Sequence, residues 1–359
     1  MVYDRKLILE DGTEYRGIGF GAEKETVCEV VFNTSMAGYQ EIVSDPSYTD
    51  QAVVMSYPLI GNYGVADDDY ESRIISPSAL IVRDINDNPS NFRWAKTLPQ
   101  LLEENGIPGI YGIDTRKLVR HIRDKGAMRG ILTDSSTNVE SGLSKLARFP
   151  VPHDAVRRCS CARKWYSRTS NPQFNVVVID CGVKMNIIRM LNRYRCNVTI
   201  VPFDTDAGEI LSLHPDGILV SNGPGDPIDV PEVIETLKNL RSAAPAIFGI
   251  CLGHQLLALS YGAKTYKLKF GHRGGNHPVK DLNTGKIAIT SQNHSYAVDE
   301  DSLSGTGLKV SHMNILDNTV EGLCGEEDRV FSVQFHPESA PGPQDCGELF
   351  EHFTQLMRY

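Results

Sequence analysis

A chain of 359 residues is longer than one ordinary hydrophobic core organises, so two domains are expected. With 41% hydrophobic and 23% charged residues, its composition excludes a disordered chain and provides for sizeable cores. A formal net charge of -9 and a pI near 5.6 argue against nucleic acid as the main partner, because such proteins present a basic surface.

The opening "MVYDRKLILEDG" interleaves charges where a signal peptide needs an apolar run, and no run of 18 or more apolar residues follows. A cytoplasmic protein without a membrane association is expected. In "KLILEDGTEYRGIGFG", Asp11-Gly12 separates two β-prone runs, a hairpin signal. Further β-prone runs are "CEVVFNTS", "QAVVMSYPLIG" and "SALIVRDI", followed by helical patterns in "TLPQLLEENG" and "DTRKLVRHIRDKG". This mixture predicts a smaller, β-rich α+β N-terminal domain over residues 1–150.

Residues 151–173 lack aliphatic periodicity and are punctuated by Pro, Ser and Arg, so they read as a linker. Over 174–359 strands and helices alternate: "NVVVID", "MNIIRMLNRYR", "NVTIVPF", "GILVSNG", "PEVIETLKNLRSA", "AIFGIC". Continuous Val/Ile runs indicate strands covered on both faces, hence an α/β domain with a doubly wound, mostly parallel sheet. In such sheets ligands bind beyond the carboxyl ends of the strands.

The eight cysteines are irregularly spaced and are expected to be mostly free thiols. The lone Cys159-x-Cys161 pair lacks a second ligand pair, so no metal is expected there. The lysine-rich "KTYKLKFGHR" reads as a solvated face. Cys251 differs from the rest, because it ends a strand and begins a helix between Gly249 and Gly253. This G-x-C-x-G is the thiol counterpart of the G-x-S-x-G elbow, and a helix N-terminus favours a thiolate there. The alternative reading is a buried structural cysteine beside glycines needed for packing.

A nucleophilic thiolate needs an acid/base, and "RVFSVQFHPES" offers His336 and Glu338 at i, i+2 spacing, which on extended chain places both on one side. Oxyanion donors are available from the Leu252 backbone and from "SNGPGDP", where Gly223 and Gly225 leave the backbone unobstructed. An ordinary Gly/Pro turn is the alternative for that loop.

Together "GICLGHQ", "SNGPGDP" and "FHPE" resemble a class I, triad-type glutamine amidotransferase domain. Within that superfamily, "NTSMAGYQEIVSDPSYTDQAVVMSYPLIGNYG" and "IPGIYGIDTRKL" resemble the N-terminal domain of the carbamoyl-phosphate synthetase small subunit. The resemblance implies Cys251 as nucleophile, His336 as acid/base and Glu338 as its orienting group. It implies Ser47, Gly223, Gly225, Leu252, Gln255, Asn293, Ser295 and Tyr296 as glutamine-binding residues. Lys184 in "DCGVKMN" matches the family pattern and is placed near the pocket, with a solvated loop lysine as the alternative.

The chain departs from the family's "SQNHGFAV" in reading "SQNHSYAV". If the family glycine has positive φ, Ser295 would be strained. The resemblance further implies L-glutamine as substrate and no cofactor or metal in this chain. It implies a large synthetase subunit that uses ATP and Mg to make carbamoyl phosphate from bicarbonate for pyrimidine and arginine synthesis. A non-catalytic regulatory subunit, and an amidotransferase subunit of another synthetase, are the alternative functions.

Overall fold

A computed structural model describes residues 3–243, 245–325 and 329–358. The chain forms two units, Met1–Pro152 and His153–Tyr359. In the first, Arg5–Leu9 and Glu14–Gly21 pair antiparallel across the expected turn, where the Thr13 amide donates to the Asp11 carboxylate at 2.9 Å. They belong to a closed seven-stranded barrel, completed in order by Pro108–Tyr111, Ala79–Ile81, Gln51–Met55, Thr26–Asn33 and Met128–Asp134. Helices Leu98–Glu104 and Thr115–Lys125 form where their patterns predict, the first opened by a Thr97/Gln100 capping box. Pro108–Tyr111 escapes sequence reading because Pro and Gly weaken the strand signal.

The segment 151–173 carries structure of its own: helix Ala155–Cys159 and strand Trp165–Ser167, which adds antiparallel to Cys196–Pro202. A three-residue edge strand is too short to show periodicity. The ten-stranded sheet of the second unit has five parallel strands at its heart: Cys196–Pro202, Phe174–Asp180, Gly217–Val220, Ala246–Ile250 and Val330–Val333. Alternate residues of Phe174–Asp180 enter different cores. Val176 and Val178 face helices Met185–Arg193 and Glu348–Leu356, while Val177 and Ile179 face Ala207–Ser212, Pro231–Leu240 and Leu252–Ser260.

This is the expected doubly wound arrangement. Beyond Val330–Val333, however, the sheet continues antiparallel through Val320–Gly325, Leu308–Asn314, Thr265–Asp281 and Ile287–Val298. Those strands are only partly buried, so they lack the continuous apolar runs that reveal the parallel ones. Among the described residues, no helix is long and apolar enough to cross a membrane.

Phe248 on the central strand is fully buried, stacks on Phe331 with ring centroids 4.3 Å apart, and meets Phe350 and Phe353 at 5.8 and 5.6 Å. Phe248→Ala is expected to cost about 3–5 kcal/mol, because a cavity of that size cannot collapse between sheet and helix. Urea denaturation checks this through a lower midpoint, and a loss below about 1 kcal/mol would contradict it.

Candidate active site

The strand Ala246–Ile250 is buried throughout and delivers Cys251 to the carboxyl edge of the sheet, where helix Leu252–Ser260 begins at once. Cys251 has φ 54° and ψ -103°, a left-handed conformation unusual for a residue with a Cβ. It persists because its surroundings fix it. The Cys251 amide donates to the Val333 carbonyl at 2.9 Å, and the Gly253 amide to the Ser221 carbonyl at 3.1 Å. A Cβ on Gly253 would stand 2.1 Å from the Val220 carbonyl oxygen, so only glycine permits this crossing of helix over strand.

The loop 221–227 follows the neighbouring parallel strand and lies against the corner. A Cβ on Gly223 would stand 2.8 Å from Leu252 Cδ2 and 2.2 Å from the Cys181 carbonyl oxygen. Gly225 has φ 86°, and Asp226 caps the short turn Pro227–Asp229. The amides of His254 and Gln255 are committed to the Cys251 carbonyl at 3.1 and 3.3 Å. Leu252 is the first residue of its helix, so its amide has no partner within that helix.

His336 follows Val330–Val333, the strand adjacent to Ala246–Ile250. Its Nδ1 lies 2.7 Å from Glu338 Oε1, as the sequence spacing led one to expect. The cause differs from the one expected. The strand stops at Val333, and Pro337 and Glu338 sit in a turn in which the Ser339 amide donates to the His336 carbonyl at 3.1 Å. His336 is instead anchored through its amide, which donates to Ser291 of Ile287–Val298 at 2.9 Å.

Lys184 is no solvated loop residue. It is buried, and its Nζ donates to Glu338 Oε1 at 3.0 Å and to the Ser339 carbonyl at 2.6 Å. Burial disfavours the His336 imidazolium, but Glu338, and after it Cys251, outweigh that and raise the pKa to about 10. Burial pushes Glu338 up, yet the ammonium of Lys184 and then the imidazole bring it down to about 2. His336 Nε2 is buried and makes no hydrogen bond. Cys251 is close enough to act on this ring, and its sulfur donates to the Asn293 carbonyl at 3.6 Å. His254, one helical turn on, donates or accepts at Ser332 through Nδ1 and is kept neutral by burial, which lowers its pKa to about 3.

Gln255 is buried and its amide donates to the Tyr296 carbonyl and to Gln334 Oε1, both at 2.9 Å. Asn293, Ser295 and Tyr296 lie together on Ile287–Val298. Ser295 is not among the residues with positive φ, and its hydroxyl accepts from Arg273, so the serine is accommodated without the strain feared from sequence. Ser47 belongs to the first unit, in the short turn Pro46–Tyr48, where its amide donates to Asp45 at 2.9 Å. Sequence reasoning missed Arg273, Gln334 and Ser291 as supports. Only the position of Gln334, two residues before His336, offered any signal.

Two family models match the chain: glutamine amidotransferase class-I over residues 177–356, and carbamoyl-phosphate synthase small chain, CPSase domain, over residues 7–132. The carbamoyl phosphate synthase small chain of Listeria monocytogenes serotype 4b is 51% identical over 353 residues, covering 98% of this chain and 96% of the relative. The protein of the same name from Staphylococcus epidermidis is 49% identical and covers 100% and 97%, and that from Fusobacterium nucleatum is 51% identical and covers 99% and 98%. The chain belongs to the carbamoyl phosphate synthase small-chain family. In this family member the amidotransferase match contains Cys251, His336, Glu338 and Lys184.

The buried pair gives this small-chain protein a two-sided pH dependence. The folded pKa of Glu338 lies below its ordinary 4.5, so its contribution is present above pH 4.5 and is lost as pH falls through about 2. The folded pKa of His336 lies above 6.5, so its contribution is complete below pH 6.5 and is lost as pH rises through about 10. Glu338→Gln is expected to flatten both flanks in a comparison of thermal unfolding across pH. A variant profile parallel to that of the unmodified protein would overturn the assignment.

Proposed function

We propose that this protein is the glutaminase subunit of a carbamoyl-phosphate synthetase, with Cys251 as nucleophile, His336 as acid/base and Glu338 as the group that orients it. The observation that carries this reading is the convergence of Cys251 with a charged, buried His336–Glu338 pair at one edge of the sheet.

The Cys251 thiolate attacks the side-chain carbonyl carbon of L-glutamine, and the amide N–H groups of Leu252 and Gly223 receive the oxyanion. The carbon–nitrogen bond breaks as His336 gives its proton to the departing ammonia, leaving a glutamyl thioester. His336 then takes a proton from water, whose oxygen attacks the thioester; the carbon–sulfur bond breaks and glutamate leaves. An imidazolium at His336 suits the first half, because the leaving group needs a proton. Gly225, Gln255, Asn293, Ser295 and Tyr296 hold the substrate.

The ammonia serves a larger synthetase subunit, which makes carbamoyl phosphate from bicarbonate and carries the ATP and Mg chemistry. Support comes from the relatives' designation as small chains and from Phe92, which is 97% exposed on the first unit, with Trp94, Leu59 and Met36 also exposed. Residues 174–359 perform the hydrolysis and residues 1–150 dock the partner. The silent-triad alternative drew on Ser295, and the relaxed backbone there removes that motive.

Cys251→Ser, assayed with the large subunit present, is expected to lose about 10⁴-fold or more in glutamine-dependent synthesis while ammonia-dependent synthesis persists. Loss of both activities would refute the nucleophile assignment, and failure of a glutamine-like electrophile to label Cys251 would favour a silent subunit.

A further inference from the structure

His272 and His294 are cross-strand partners on Thr265–Asp281 and Ile287–Val298, with ring centroids 4.9 Å apart. Glu321, from Val320–Gly325, is fully buried beside them. One donor atom from each of the three lies within 4.8 Å of the others. His272 is 8% exposed and His294 is 5% exposed, so the cluster is largely shielded from bulk solvent. Two of the facing atoms, His272 Nδ1 and Glu321 Oε2, have no hydrogen-bond partner, and Nδ1 stands 3.6 Å from Glu321 Oε1. A third orphaned atom, the ring nitrogen Nδ1 of His277, is buried next door, with its ring 5.1 Å from that of His272. Buried polar atoms are rarely left unpaired without a reason, and three in one place indicate an occupant.

The outer contacts are those of a metal ligand set. His272 Nε2 lies 2.8 Å from Asp317 Oδ2, a carboxylate that holds the ring with Nδ1 turned toward Glu321. Asp317 is itself held by the Thr319 hydroxyl at 2.9 Å, and Glu321 Oε1 accepts from Asn314 at 3.2 Å. His294 Nδ1 lies 2.7 Å from the Tyr296 carbonyl, which accepts from an N–H at that position. Nε2 now touches Gln292 Oε1 at 2.6 Å, a contact that must give way as the ring turns toward a cation. In a tetrahedral site with nitrogens at 2.0–2.1 Å the donors stand about 3.3 Å apart, so the widest donor separation closes by up to about 1.5 Å on binding.

We propose that His272, His294 and Glu321 bind a first-row divalent cation of the zinc type. Two imidazoles and one carboxylate suit zinc or cobalt rather than magnesium or calcium, which prefer oxygen. A water completes the coordination. The cation ties together the strands Thr265–Asp281, Ile287–Val298 and Val320–Gly325. His294 adjoins Asn293, whose carbonyl meets the Cys251 sulfur, so occupancy stiffens the strand that carries Asn293, Ser295 and Tyr296.

The test uses the full chain carrying Cys251→Ser, which removes the corner thiol as a competing ligand. The chain is stripped with a chelator and dialysed against Zn²⁺, Co²⁺ or Mg²⁺. One tightly held equivalent of Zn²⁺ or Co²⁺ is expected, with a raised unfolding midpoint. The Co²⁺ form should show a tetrahedral visible spectrum without sulfur-to-metal charge transfer. Glu321→Gln, which keeps the side-chain shape, and His272→Ala should each weaken this binding by about tenfold or more. Should His272→Ala fail to fold, Glu321→Gln decides. Absence of a retained cation, a preference for Mg²⁺, or equal affinity in Glu321→Gln and its parent would overturn the proposal. His272 would then be a proton-carrying ring pinned between Asp317 and Glu321.

Discussion

One carboxylate oxygen holds the site together. Oε1 of Glu338 receives both Lys184, from the end of the first parallel strand, and His336, from the end of the last. Removing any member would strand a charge in a medium that cannot solvate it, a cost far above that of a surface ion pair. The side chain of Asn186 secures the Glu338 backbone, so the carboxylate cannot swing away.

The parallel half of the sheet was legible because its strands are covered on both faces and read as unbroken runs such as "NVVVID". The Cys251 corner was legible because glycines on either side of a cysteine, between a strand and a helix, leave little choice of geometry. The antiparallel half was not, because partly exposed strands such as Leu308–Asn314 mix apolar and polar residues with bulges in the register. The closeness of His336 and Glu338 was foreseen from their spacing, yet it arises from a turn rather than from strand alternation. Sequence separation hides the ion pair of Lys184 with Glu338, which stand 154 positions apart, and only the family pattern placed Lys184 near the pocket.

Ser295 shows how a family pattern can mislead in a particular chain. Read against a glycine, it predicts strain or lost function. In the fold it is an ordinary strand residue whose hydroxyl accepts from Arg273, which also donates to the Phe270 carbonyl at 2.9 Å. The histidine and glutamate cluster was invisible for a different reason. Its members come from three strands at separations that match no ligand motif, and only the folded sheet brings them into one buried space.

The strand Trp165–Ser167 covers the otherwise open row of amides and carbonyls along Cys196–Pro202, while the barrel of the first unit, being closed, has no such row. It is short and flanked by Arg163, Lys164 and Arg168, features that discourage another chain from stacking beside it. What looked in the sequence like a tether is thus also a guard against self-association. A fragment trimmed to begin at residue 174 would lay bare the edge of Cys196–Pro202 and invite fibrous or amorphous clumping, although Cys251, His336 and Glu338 would still be present.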